Sequence, residues 1–163
     1  MTEIPIVHQC ELPADSLLWK WAQPDDFLDC FVIAAEVPPR RAAEIITDFP
    51  VWARILLKIR GVVAFFFGLS TDGPDVADKV GPFPVEIETS EEIIAGFNDK
   101  HLNFRVSVIA KDRRVSLATW VHVHNLGGRL YLLCIMPFHI LIAKDALRRV
   151  SSHSAENEHR SIS

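Results

Sequence analysis

Two periods of hydrophobic residues divide the chain. From Val51 to Gly68 apolar side chains return every three or four positions, at Trp52, Ile55, Leu56, Ile59, Val63 and Phe66, with Arg54, Lys58 and Arg60 on the other side. That spacing predicts a helix with one buried face. From Phe83 onward the period drops to two, the signature of strands. Val85 and Ile87 alternate with Glu86 and Glu88, and Glu92 to Phe97 forms a second run. Leu102, Phe104, Val106 and Val108 oppose Asn103, Arg105 and Ser107, and Val115, Leu117, Thr119, Val121 and Val123 oppose Ser116, Ala118, Trp120, His122 and His124. Asn98-Asp99-Lys100 and Lys111-Asp112-Arg113 read as hairpin turns.

The same reading predicts a first strand from Phe27 to Val37, stopped by Pro38-Pro39. Pro39 suits the first turn of a helix that reaches Phe49 and is broken by Pro50. Gly127-Gly128 reads as a further turn and Arg129 to Met136 as a last strand. A final helix runs from Pro137 to Ser151, with Ile140, Ala143, Ala146, Leu147 and Val150 on one arc. Residues 1–26 form an arm whose Leu17, Leu18, Trp19 and Trp21 must pack on the domain, since exposed tryptophans are costly. Residues 27–151 make one domain, and 152–163, without apolar periodicity, a disordered tail. Ser70 to Pro84, rich in Gly and Pro, is a loop that is either a lid or plain surface.

One strand, two helices, a series of antiparallel strands and a closing helix make an α+β chain, the sheet curving around the last helix. That order resembles the helix-grip, or Bet v 1 / START-like (SRPBCC), domains. The residues carry a closer likeness. Gly96-Phe97-Asn98-Asp99-Lys100-His101-Leu102-Asn103-Phe104-Arg105, then His124-Asn125 with Gly128-Arg129 and Tyr131, then Pro137-Phe138-His139 are similar to the bacterial family DUF2867. The likeness extends to Leu57-Lys58-Ile59-Arg60 and to Gly81 through Val85. It implies the helix-grip fold and no particular reaction. Members also occur joined to a Rossmann domain, but no GxGxxG stands here, so no dinucleotide site is expected.

Composition narrows the partners. The 163 residues carry a net charge of -4, without the basic surface of a nucleic-acid binder. Cys10, Cys30 and Cys134 are odd in number and widely spaced, which argues against a disulfide framework or a zinc site. The acids and prolines of Met1 to Ala14 do not read as a signal peptide, and the apolar run Gly61 to Leu69 is too short to span a bilayer. A cytoplasmic protein with no integral membrane segment, no metal and no cofactor is expected.

His139 falls within the apolar arc of the last helix, in its expected first turn, and should point inward. It is either a core histidine satisfied by a backbone carbonyl or a polar anchor in an apolar pocket. Phe65, Phe66, Phe67, Phe104, Tyr131 and Leu147 are the expected lining, although the phenylalanine run also fits plain core or a membrane-touching tip. His122 and His124 share a strand face, but no third ligand completes a metal set. Asp99, His101 and Arg105, near His124 and Asn125, form a polar cluster that either binds an anion or holds a hairpin in register. Glu86, Glu88, Glu91 and Glu92 read as a solvated edge. No GxSxG elbow is present, and Cys134 reads as inert.

Three functions follow as expectations. The first is binding of a small apolar ligand between sheet and last helix. The second is an enzyme of the same fold with His139 or His101 as general acid/base. The third is an interaction module, a homodimer among its forms, built on the tryptophan-bearing arm or the open sheet face.

Overall fold

The computed structural model describes residues 5–66, without the Val63 side chain, and 75–161. The expectations placed on Phe67, on Val63 as a face residue and on residues 70–74 of the Ser70–Pro84 loop therefore lie outside the described residues, and the described remainder of that stretch is in part strand, at Lys79–Val80 and from Phe83. The elements are β1 (His8–Gln9), a 3-10 turn (Leu17–Lys20), β2 (Phe27–Ala34), α1 (Pro39–Thr47), α2 (Val51–Phe66), β3 (Lys79–Val80), β4 (Phe83–Glu88), β5 (Glu92–Asn98), β6 (Leu102–Lys111), β7 (Arg114–Val123) and α3 (Leu126–Ser161). The strands make one open antiparallel sheet, in the order β1-β2-β7-β6-β5-β4-β3. The fold is α+β, as the order of periods predicts.

Strand parity sorts the sheet's two faces. Phe31, Ile33, Ile93, Ala95, Val108, Val115 and Leu117 form one core with Ala42, Ala43 and Ile46 of α1 and Ala143, Ala146, Leu147 and Val150 of α3. The opposite face is also covered. Leu12 and Leu18 of the arm pack on Cys30, Ile94, Ile109, Ala118 and Trp120. The arm is fixed by a buried polar centre. The Glu92 carboxyl group accepts hydrogen bonds from the hydroxyls of Ser16 (2.7 Å) and Ser107 (2.6 Å) and from the Leu17 N–H (2.8 Å). Glu92 is thus buried beneath the arm, a correction to the solvated edge expected for it. The Cys10 and Cys30 thiols add a contact of 3.3 Å between arm and β2.

The largest departure from expectation lies after β7. Residues 129–136 are not a strand, and Gly127-Gly128 is not a hairpin turn. Both belong to α3, which also carries Pro137 inside it and continues through the residues expected to form a disordered tail as far as Ser161. A short, wholly apolar run has no period that separates strand from helix, and the capping side chain decides the matter. Asn125 Oδ1 accepts the Gly128 N–H at 3.0 Å, satisfying one of the free donors of the first turn. Gly128 is needed there, because a Cβ would stand 2.6 Å from the His101 carbonyl oxygen.

α2 is rotated from the orientation its spacing suggested: of that face Leu56 is half-buried on the cavity wall, and Ile59 touches the wall from an exposed position. Ala53 and Ala64 are buried, while Trp52, Ile55, Ile59 and Phe66 are exposed. The helix is apolar on nearly every side, so periodicity underdetermines its orientation. The small side chains let it lie close to its neighbours, and Arg60 on that same inward side donates to the Tyr131 hydroxyl at 2.5 Å.

Candidate functional site

Between the sheet and the helices lies a cavity of about 210 Å³. Its sheet wall is Phe27, Ile93, Ala95, Phe104, Leu117 and Val121, and its helical walls include Ile46 from α1, Leu56 and Ile59 from α2, and Ile135, Ile142 and Ala146 from α3. Two of its lining residues, Ile59 on α2 and Phe138 on α3, remain exposed at the surface. The lining is apolar except at a few points: Thr47, Arg60, Thr119, Tyr131 and His139.

His139 is the best placed of these. It sits mid-helix rather than in a first turn, which corrects its expected position, and its ring lies edge-on to Phe27 at 6.3 Å. Its Nε2 lies 2.9 Å from Oδ2 of Asp29 on β2. Asp29 pairs directly across the sheet with Thr119. Its other oxygen, Oδ1, is buried with no hydrogen-bond partner among the described residues. A buried carboxyl oxygen without a donor is costly, but Asp29 does not itself line the cavity, so the polar group met from inside the space is His139. Sequence reasoning missed Asp29. Parity held the signal, because Phe27, Asp29, Phe31 and Ile33 share the inward face, which makes an acid the odd member among apolar neighbours.

The other candidates divide. Tyr131 and Phe104 line the cavity together with His139. Leu147 is fully buried in the core but stands off the lining, and Phe65 and Phe66 are each 80% exposed to solvent, away from the cavity. The polar cluster does not gather around one point. Asn125, the helix cap, bonds His101 Nδ1 at 2.8 Å, and His124 Nε2 lies 3.0 Å from Asn103 Oδ1. Asp99 Oδ1 accepts the Lys100 N–H within its turn. Arg105 is separate from these, buried on the outer face of the sheet. It bonds Glu86 at 2.7 Å and stacks on Trp21 and Trp120.

His122 and His124 stand close, with ring centroids 5.2 Å apart, but His122 Nδ1 is taken up by Asp26 at 2.6 Å. Asp26 also accepts from the Trp120 indole at 2.8 Å and the Gln23 N–H at 2.9 Å. Burial pushes the Asp26 carboxyl up, yet the donors of His122, Gln23 and Trp120 outweigh it and hold the group below its ordinary value. Among the described residues no three His, Cys, Asp or Glu side chains come together as a metal site.

An open antiparallel sheet with a long C-terminal helix across one face, and an apolar cavity between them with His139 on its wall, defines the class of protein. The chain belongs to the family described as a protein of unknown function, DUF2867, whose model matches residues 21–146. That span contains the whole of the cavity lining. No curated protein and no solved structure matches the chain.

Proposed function

We propose that this protein is a helix-grip domain of the Bet v 1 / START-like kind that binds a small, largely apolar ligand in the cavity between the sheet and α3. One observation carries the reading: an apolar space with a half-buried histidine on its wall, His139, whose ring is held by the buried carboxyl group of Asp29. Such pockets owe affinity to their apolar lining and orientation to a few polar groups. His139, held by Asp29, supplies that polar contact. The volume is below the ~300–1,000 Å³ usual for drug-sized ligands, which favours short-chain or single-ring aromatic compounds over sterols. A thermal-shift screen with short-chain fatty acids, sterols and small aromatic compounds tests it. The expected result is stabilisation by members of the first or third group, at least halved in His139→Phe. Stabilisation by none of the three contradicts the reading.

A second reading is favoured by the His139–Asp29 contact itself. A carboxyl group that orients one ring nitrogen leaves the other available as a general base. It requires that a compound bound in the cavity be changed. Mass spectrometry of the bound compound after incubation with wild type and with His139→Asn separates the two. A product formed only by wild type supports catalysis, and unchanged compound in both supports binding alone.

A further inference from the structure

The most exposed apolar surface lies on the side of the molecule away from the arm. On α2, Val51, Ile55, Ile59, Val62 and Phe66 follow one another at spacings of three and four, joined by Trp52 and Phe65, and all are exposed. On α3, Leu126, Leu130, Leu133, Phe138 and Leu141 form a matching exposed stripe. The two helices are in contact with one another. Contiguous apolar surface of this kind marks a place where something else sits.

Charge indicates what that is. No Asp or Glu occurs between Val51 and Phe66 or between Leu126 and Lys144, although the whole chain is acidic at -4. Exposed Arg54 and Lys58 flank the α2 stripe, and exposed Arg129 lies beside the α3 stripe. A second copy of this chain is a poor match, because a two-fold pairing sets each surface against itself and offers these cations no acid. An anionic lipid surface matches on both counts, taking apolar side chains into its boundary and basic ones among its headgroups. The acidic remainder of the molecule would be held away from such a surface, which fixes the orientation.

α3 is, by length and composition, able to cross a membrane. Only 17% of its apolar stretch is buried, but the helix is tied to the domain at both ends of that stretch and beyond it. Tyr131, Ala143, Ala146, Leu147 and Val150 are buried against the rest of the domain. A helix that left to span a bilayer would uncover that core, whereas one that lies flat keeps it closed. We infer that the exposed face of α2 and the first half of α3 dock flat on an anionic bilayer, with the exposed lining residues Ile59 and Phe138 turned to the lipid. The docking face stands on exposure and charge alone, and it does not depend on ligand binding in the cavity.

Co-sedimentation of the full chain with vesicles tests this with no cavity ligand present, so its outcome is separate from that of the thermal-shift screen. Binding is expected to vesicles of phosphatidylcholine mixed with phosphatidylglycerol, falling as salt is raised, and to be far weaker with phosphatidylcholine alone. The double variant Arg54→Glu, Lys58→Glu should lower the bound fraction about tenfold, given the attraction of each surface cation to an anionic leaflet. Phe65→Ser with Phe66→Ser should abolish binding while circular dichroism and thermal unfolding stay those of wild type. Lys20→Glu, the same kind of charge change on the arm, should leave binding intact. The proposal is overturned if the chain fails to bind the mixed vesicles, or if Lys20→Glu weakens binding as much as the α2 variants do. It is equally overturned if wild type is a dimer that Phe66→Ser splits and no vesicle binding is seen.

Discussion

Asp26 sits just before β2 and ties it to the far end of β7 through His122 and Trp120. Its pKa is lowered in the folded protein, so the unfolded chain takes up the proton more readily. The stabilisation is complete above the ordinary carboxylate range and is lost as pH falls through the folded value. Asp26→Asn should therefore cost about 1.5–3 kcal/mol near neutral pH, the usual value of hydrogen bonds to a charged group. The difference from wild type should shrink below about pH 4. Urea unfolding of both proteins at the two pH values checks this, and an equal difference at both would contradict it. Residue identity was legible at some positions and not at others. His139 stood out because it is polar on an apolar arc. Asp29 did not, although it alternates in step with Phe27, Phe31 and Ile33.

At the scale of elements, the strands β4, β6 and β7 were legible because each alternates, and β5 because it is a short apolar run that ends in an Asn-Asp turn. The hairpin between β6 and β7 confirms its turn chemistry, with Asp112 and Arg113 both at positive φ (51° and 57°). α3 was half legible. Its amphipathic second half follows a 3.6-residue period, but its first half is mostly apolar, and the two glycines in its first turn imitate a hairpin turn. What settles that half is tertiary, namely the Asn125 cap and the close approach of Gly128 to β6. The arm was expected to pack on the domain, and its anchor emerges only in three dimensions. Removing that anchor with Glu92→Ala leaves Ser16, Ser107 and the Leu17 N–H without their acceptor. A loss of about 1–3 kcal/mol is expected, with earlier tryptic cleavage at Lys20 than in wild type. Unchanged resistance at Lys20 would show that Leu12 and Leu18 hold the arm by themselves.

For the whole molecule, both faces of the sheet are covered, but by layers of different kinds. The arm seals the outer face over Arg105, Ser107 and Trp120, which the sequence alone would leave to solvent. On the inner face α1, α2 and α3 bridge the sheet without filling it, and the 210 Å³ cavity is what remains between them. Alternation shows which residues face inward and is silent on whether they meet, so no pattern in the sequence gives that space. The measurement that tests the account most directly is a methyl and histidine-ring NMR titration with a compound that raises the thermal midpoint. Saturable shifts are expected at Ile93, Leu117, Ala146 and the His139 ring, with weaker affinity in Asp29→Asn. Shifts confined to residues outside the cavity, or none at saturation, would contradict it.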